Sequence, residues 1–115
     1  MSRTFILADF FGEASTKTTA ELATAAARIG DVTAIVLAPV GKGAAMAATV
    51  NVGPVASVIV VESADFATHG VPAMADALAQ LTATHSPTAV LIASHAMGKE
   101  IAGRLAVATN SGIIT

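Results

Sequence analysis

The sequence predicts a three-layer α/β/α fold with a mostly parallel, doubly wound sheet of about five strands. Short apolar runs alternate with helical periodicities along all 115 residues, which is the pattern of α/β proteins. The apolar runs are continuous instead of alternating with polar residues, as expected of strands covered on both faces of a parallel sheet. Right-handed crossovers between such strands place helices on both faces.

Five segments have the composition of buried strands. They are residues 5–8, 32–37, 55–61, 89–93 and the terminal residues 113–115. The run at 55–61 is the clearest, because it is rich in valine and isoleucine. Proline and glycine separate the strands from their neighbours, with Pro39 and Gly41 after the second strand and Pro87 before the fourth.

The first predicted helix has the clearest boundaries. Thr18 and Glu21 have the spacing of a capping box, in which the threonine caps the helix and the glutamate reaches back. Gly30 is placed to end the helix. The apolar stripe has helical spacing and consists of Leu22, Ala25, Ala26 and Ile29.

Three further helices follow. A short alanine-rich helix is expected at residues 43–49, and Pro72 is suited to the first position of the next one. The last helix is expected at about residues 99–109, with an i,i+4 ion pair between Glu100 and Arg104. The apolar stripes of the last two helices are Met74, Leu78 and Leu81, and Ile101, Leu105 and Ala108.

The composition favours one compact domain and excludes several classes of protein. The chain is 54% hydrophobic and 12% charged, with 27 alanines and a net charge of -2, which is unlike a disordered chain. The absence of cysteine excludes a disulfide scaffold, a zinc–cysteine site and a thiol nucleophile, and it is compatible with a reducing cytoplasm. Six basic residues against eight acidic ones argue against nucleic acid as a partner.

Two uncharged tracts are long enough to test for a membrane span, residues 43–61 and 77–98. Both are interrupted by polar residues and proline, so no membrane span is predicted; the N-terminal residues also do not form a signal peptide. Charge depletion of this kind is typical of an interface core. We therefore expect the helix in the tract 77–98 to be covered by another domain or subunit, the alternative being a solvated alanine-rich helix.

Four loops follow strand ends, where sheets of this type bind ligands: residues 9–11, 39–43, 62–65 and 94–98. Gly41 and Gly43, with Glu62 about 20 positions on, resemble the dinucleotide-binding fingerprint. Met46, however, stands where that fingerprint needs a glycine or alanine, and Lys42 is not followed by the Ser or Thr of a P-loop. A flexible loop and helix start is therefore the preferred interpretation.

The candidate catalytic side chains in these loops do not form a known constellation. Ser94 and His95 are adjacent, so they point to opposite sides of the chain and do not form a nucleophile–base pair. His95 could contact a ligand or partner, but a polar loop residue is the simpler interpretation. His69 and His85 lack metal-ligand spacing with it.

Asp9, at the end of the first strand, is the most prominent carboxylate, and its simplest role is to accept backbone N–H hydrogen bonds within its own loop. Phe10 and Phe11 make up half of the aromatic residues. Their place at the edge of the sheet predicts packing against another domain or subunit.

After the fourth strand a small-residue loop leads into a glycine, a basic, an acidic and an aliphatic residue, and then an Arg-Leu-Ala triplet. These residues are Gly98, Lys99, Glu100, Ile101, Arg104, Leu105 and Ala106. Together with Gly41, Gly53, Gly112 and Thr115, this order resembles the N-terminal region of electron transfer flavoprotein alpha subunits. The resemblance covers essentially all 115 residues but only the N-terminal part of an alpha subunit.

The resemblance implies an adenine-nucleotide alpha hydrolase-like fold and an electron carrier instead of an enzyme. Members of the family are heterodimers of an alpha and a beta subunit. They hold FAD, which takes electrons from the acyl-CoA dehydrogenases of fatty acid beta-oxidation and from related dehydrogenases, and passes them to a quinone-linked acceptor. FAD is bound mainly by the C-terminal domain of the alpha subunit, and the nucleotide of the family lies in the beta subunit.

No catalytic, cofactor-binding or metal-binding residue is therefore assigned in this chain. Residues 1–115 are expected to be a cytoplasmic scaffold and subunit-interface domain, truncated before the FAD-binding domain. The alternative is a free-standing nucleotide-binding module of stress-protein or flavodoxin type that uses the loops at Asp9, 41–43 and 94–98. Flavodoxin itself is disfavoured, since its Ser- and Thr-rich FMN loop is replaced here by residues 10–13. A hydrolase acting through Ser94 is the weakest hypothesis.

Overall fold

The computed structural model describes residues 3–12, 14–50, 53–94, 96–108 and 112–114. In chain order its strands are β1 (Arg3–Leu7), β2 (Phe10–Phe11), β3 (Ala14–Ser15), β4 (Asp31–Ala38), β5 (Val55–Glu62), β6 (Ala89–Leu91) and β7 (Gly112–Ile114). The helices are α1 (Lys17–Ala26), α2 (Gly43–Ala48), α3 (Asp65–Thr68), α4 (Val71–His85) and α5 (Ala96–Ala108).

Five strands form one sheet in the order β5-β4-β1-β6-β7, and every neighbouring pair in it is parallel. The central strand β1 pairs on both sides, so that Ile6 lies beside Ala34 of β4 and beside Leu91 of β6. The five predicted strands and their parallel arrangement are confirmed.

Helices cover both faces of this sheet. Phe5 and Leu7 point to one face, where they pack in a core with α3, α4 and α5. Ile6 and Ala8 point to the opposite face, where they pack with α1 and α2. This alternation follows from the two-residue period of a strand, and it confirms the three-layer α/β/α prediction.

The strand order reverses beside β1. The chain first builds β4 and then β5 on one side of β1, and it then crosses to build β6 and β7 on the other side. The carboxyl ends of β1 and β6 therefore diverge into separate loops, which is the place where sheets of this type form a crevice.

The predicted boundaries of the first helix are wrong. Helix α1 begins at Lys17 after the N-cap residue Thr16, and its C-cap is Ala27, so neither Thr18 nor Gly30 caps it. The helix starts two residues earlier than predicted because the chain turns at the residues that contact the end of β1. Its buried residues are Thr19, Ala23 and Ala26. The predicted stripe is wrong in part, since Ala25 and Ile29 are exposed.

Four smaller features differ from the prediction or refine it. The segment after β1 is a β2–β3 hairpin instead of a plain loop, and the short helix α3 was not predicted. Strand β5 lies at the edge of the sheet and is partly exposed, although its continuous apolar run resembles that of a central strand. Helix α5 begins at Ala96, three residues early, and its predicted Glu100–Arg104 ion pair forms at 3.6 Å.

The tract 77–98 is largely explained by the domain's own packing. Its second half contains β6 and residues 92–93, which are buried inside the sheet. The exposed positions of α4 within the tract are Gln80, Ala83 and Thr84, which are polar or small. Coverage of α4 by a partner stays a prediction. None of the helices in the described part of the chain combines the length and the hydrophobicity that a membrane span requires.

Candidate functional site

A cavity of about 230 Å³ lies in the crevice where the strand order reverses. Residues from the ends of three strands, from three helices and from the segments that connect them line it. They are Leu7, Ala8, Asp9, Phe10, Leu37, Pro39, Met46, Met74, Ile92, Ala93, Met97, Gly98 and Ile101. The walls are mainly aliphatic, and they include every methionine of the chain except Met1. We call this space the switch-point cavity.

Asp9 is held by the start of α1. Its carboxylate Oδ2 accepts a hydrogen bond of 2.7 Å from the Thr16 hydroxyl, and its carbonyl oxygen accepts one of 2.9 Å from the Thr16 amide. The Asp9 amide in turn donates to the Thr19 hydroxyl at 2.9 Å. The Asp9 carboxylate therefore accepts from a threonine hydroxyl at the N-cap of α1, whereas the sequence interpretation expected backbone amides of its own loop as donors.

Phe10 is half-buried against the core formed with α1 and α2, and it also lines the switch-point cavity. The adjoining strand β3 is fixed to the end of α2, since the Ser15 amide donates to the Thr49 hydroxyl at 2.9 Å. The side chain of Phe11 lies outside the described residues. Packing of this pair against a second domain stays a prediction, and Phe10 also has a role inside this one.

The glycine-rich loop after β4 leads into α2, and the first amide of that helix is bound by a side chain of the same domain. The first amide of α2, on Gly43, donates a hydrogen bond of 2.7 Å to the Glu62 carboxylate at the end of β5. A Cβ on Gly43 would lie 2.5 Å from that carboxylate oxygen and 2.6 Å from Val60 Cγ1. This glycine therefore permits close approach of α2 to β5. In a dinucleotide-binding protein the first amide of this helix would bind a phosphate of the ligand. Here the Glu62 carboxylate takes that place.

The start of α5 also needs a glycine. A Cβ on Gly98 would overlap the carbonyl oxygen of Ala93 and would lie 3.2 Å from Ile92 Cγ2. Gly98 thus allows the first turn of α5 to lie directly against the chain leaving β6, at the wall of the switch-point cavity. Packing at this position explains why the residue is a glycine.

The other candidates are dispersed. Ser94 is exposed beyond the end of β6, and His95 lies outside the described residues. His69 follows α3 on the surface, whereas His85 lies at the opposite end of α4, where its Nδ1 accepts a 3.0 Å hydrogen bond from the Arg3 guanidinium. Within the described ranges, no three side chains of metal-ligand type come together.

The described residues of this edge do not fit a flavin dinucleotide. The switch-point cavity is smaller than the roughly 300–1,000 Å³ of pockets that hold drug-sized ligands. Its walls are apolar, and the neighbouring Gly43 amide already pairs with a carboxylate. Asp9 would further repel a pyrophosphate.

Comparison with known proteins identifies the family to which the chain belongs. The profile described as Electron transfer flavoprotein domain matches residues 6–115. The chain belongs to this family. It is 34% identical over 114 residues to the electron transfer flavoprotein subunit alpha of Mycobacterium leprae (strain TN). It is 35% identical, over the same length, to the subunits of that name from two Mycobacterium tuberculosis strains, CDC 1551 / Oshkosh and ATCC 25618 / H37Rv.

Each of these alignments covers 99% of this chain and 36% of the relative. The chain therefore spans about a third of the length of the curated relatives that it matches. The predicted resemblance to electron transfer flavoprotein alpha subunits is confirmed, and the family assignment agrees with the observed α/β fold.

The structure gives a physical role to the family-like segment at the start of α5. Gly98 permits the close contact with Ala93, and Ile101 and Leu105 are fully buried in the core. Glu100 and Arg104 form an exposed ion pair on the outer side of the helix. In this chain the segment fixes α5 to the sheet.

Sequence reasoning missed the switch-point cavity. Three of its walls come from Met46 in α2, Met74 in α4 and Met97 in α5. Met46 was considered only as a mismatch to a nucleotide fingerprint, and Met74 only as a helix stripe residue. The only sequence signal was a small one, namely that all methionines after Met1 fall near predicted loops or helix starts.

Proposed function

We propose that the chain is a scaffold and subunit-interface domain of a heterodimeric, FAD-containing electron carrier. The observation that supports this proposal best is the family match across residues 6–115. The relatives are named as alpha subunits and are longer than this chain, so the proposal gives this domain a beta subunit as its partner. In the assembled carrier it acts as a structural part and not as a catalyst.

FAD in this proposal is bound mainly by other parts of the heterodimer. The poor fit of the described residues to a flavin dinucleotide supports that placement. The carrier works in the cytoplasm, where it takes electrons from acyl-CoA and related dehydrogenases, which bind transiently, and it passes them to a quinone-linked acceptor. The bound FAD supplies the redox chemistry, and this chain's residues supply a rigid sheet and a surface for the partner.

The surface residues at the carboxyl edge of the sheet fit such a role. Val40 is 66% exposed and Met97 is 46% exposed, both in loops or helix starts that follow strand ends. Exposed large apolar side chains at the carboxyl edge of the sheet suit a protein-binding surface. A free-standing nucleotide module would need polar and basic groups at this edge, and the Glu62–Gly43 hydrogen bond is the reverse of that arrangement.

Sedimentation velocity tests the proposal. The purified chain is run alone, and then with an electron transfer flavoprotein beta subunit in increasing amounts. We expect a faster boundary that contains both chains, and no flavin absorbance in the purified chain alone.

Titration with ATP and FMN is the control for the alternative function. Tight binding of either compound by a chain that does not pair with the beta subunit would contradict the proposal. The same result would favour the free-standing nucleotide module.

A further inference from the structure

The outer edge of β5 carries a row of backbone groups that face away from the sheet. Strand β5 is the last strand on its side, and β4 is its one neighbour among the described strands. The Ser63 amide donates to the Ala38 carbonyl of β4 at 3.0 Å, so the odd-numbered residues of this strand direct their backbone groups toward β4. Because successive residues of a strand alternate in this direction, the amides and carbonyls of Val58 and Val60 face outward.

This edge lacks the features that usually prevent strands from adding to a sheet. Such features are short length, charged side chains, proline and bulges. Strand β5 is 8 residues long, and its residues 55–61 include neither a charged residue nor a proline. Its register shift lies near the amino end, beside Val55, and the pairing from Ser57 to Glu62 is regular. The regular part of the edge is therefore suited to pair with another strand.

A second copy of β5 fits this edge by symmetry. A two-fold axis perpendicular to the sheet places the second strand antiparallel to the first, and such an arrangement closes at two copies. With the axis at Ile59, Val58 of each copy lies opposite Val60 of the other. These are the residues whose amides and carbonyls face outward, so each of these opposed pairs exchanges two hydrogen bonds. The two Ile59 residues then form the non-hydrogen-bonded pair at the centre.

Charge also favours an antiparallel second copy. Glu62 is the one charged residue of β5, and like charges that lie directly opposite each other destabilise a sheet. In the antiparallel pair Glu62 of one copy lies opposite Ala56 of the other, and the two glutamates are about 20 Å apart. A parallel copy in the same register would bring the two carboxylates together.

The side chains of the edge gain burial on both faces of the sheet. Val60 is 40% exposed, and Val58 is half-buried beside the core formed with α1 and α2. On the opposite face Ile59 and Val61 are half-buried beside the core formed with α3, α4 and α5. A second copy places valine against valine on the first face and isoleucine against isoleucine on the second. Cross-strand pairs of this kind stabilise a sheet.

We infer that two copies of this chain pair their β5 strands antiparallel about a two-fold axis at Ile59, so that their five-stranded sheets become continuous. This surface is the outer edge of the sheet and not the crevice beside β1. The inference therefore goes beyond the proposed function and does not rest on it.

Amide hydrogen exchange tests the inference on the unsubstituted 115-residue chain. The amides of Val58 and Val60 face outward, whereas those of Ile59 and Val61 face β4, so the same strand supplies the control. At a protein concentration where about nine chains in ten are paired, exchange at Val58 and Val60 should be about tenfold slower than in dilute protein, because it proceeds from the monomer. Exchange at Ile59 and Val61 should depend much less on concentration.

Single cysteine variants test the register, since the chain has no cysteine of its own. In the inferred dimer the two Ile59 Cα atoms lie about 4.5 Å apart, within the range that a disulfide spans. The two Ser57 residues lie about 13 Å apart, beyond that range. With oxidised glutathione as the oxidant, we expect Ile59→Cys to form a covalent dimer and Ser57→Cys to remain monomeric. A mixture of Ser57→Cys and Val61→Cys should form the mixed dimer, because these positions are opposed.

Three results would overturn the inference. They are a chain that is monomeric at all concentrations in sedimentation velocity, exchange at Val58 and Val60 that does not depend on concentration, and crosslinking of Ser57→Cys as readily as Ile59→Cys. If Ile59→Cys fails to fold by circular dichroism, the exchange measurement on the unsubstituted chain decides. Pairing with the beta subunit is measured separately, so a chain that binds this subunit but does not self-associate refutes the inference and leaves the proposed function standing.

Discussion

The close contact between Gly98 and Ala93 at the start of α5 predicts opposite changes in stability for alanine substitutions at the two glycines of this helix, Gly98 and Gly103. Alanine normally stabilises a helix by about 1 kcal/mol relative to glycine. At Gly98 the added Cβ would overlap the backbone oxygen of Ala93, which cannot rotate away as a side chain could. Overpacking of this kind costs roughly 1–3 kcal/mol, and the overlap with backbone places Gly98→Ala near the upper end. After the helix gain is subtracted, we expect a net loss of about 2 kcal/mol.

Gly103 is the matched control, because it lies in the same helix and a Cβ there would meet nothing within 4 Å. Gly103→Ala is expected to stabilise the chain by about 1 kcal/mol. In urea unfolding followed by circular dichroism, the two variants should shift the midpoint in opposite directions. By thermal unfolding the expected changes are a fall of about 8 °C and a rise of about 4 °C. Equal shifts, or a stable Gly98→Ala protein, would refute the packing argument.

Three further predictions concern stability and association. Glu62→Gln removes the charged acceptor of the first α2 amide and should lower the free energy of unfolding by about 1 kcal/mol. The control Glu100→Gln, in the exposed ion pair, should change that free energy by about 0.3 kcal/mol. Equal effects of the two substitutions in urea unfolding would contradict this prediction. Thr16→Val removes the hydroxyl that donates to Asp9 and should lower the free energy of unfolding by about 1.5 kcal/mol. In an Asp9→Asn background the same substitution should have a much smaller effect, because the two side chains are coupled. The edge strand β5 is partly exposed, so we expect the chain to self-associate through it, and Val60→Lys should reduce that association in sedimentation velocity; a wild-type chain that is monomeric at all concentrations would count against this edge as a contact surface.

The sequence was sufficient for the architecture. Continuous apolar runs and their spacing predicted all five strands of the main sheet, because burial on both faces leaves a strong local signal. The Glu100–Arg104 ion pair was predictable for the same reason, since it depends on residues one helical turn apart. The position of β5 at the edge was not predictable, because valines suit an edge strand and a central strand equally well.

Several of the missed features depend on contacts between separate elements of the fold. Helix α1 begins at Lys17 because Thr16 and Thr19 bind Asp9, ten or fewer positions away in sequence but on another element. The Glu62 carboxylate reaches Gly43 across 19 residues. The switch-point cavity exists only after three helices and three strand ends have come together. The hydrophobic periodicity of a single segment carries no information about contacts between separate elements.

The central claim is that this chain serves as a domain of an electron transfer flavoprotein alpha subunit. A hybrid tests it most directly, in which the chain replaces the matching 114-residue segment of the Mycobacterium tuberculosis relative and is produced together with a beta subunit. The measurement is the flavin absorbance of the purified heterodimer, before and after addition of a reduced dehydrogenase. We expect the heterodimer to hold a flavin that the dehydrogenase reduces. A folded hybrid that neither pairs with the beta subunit nor retains flavin would contradict it.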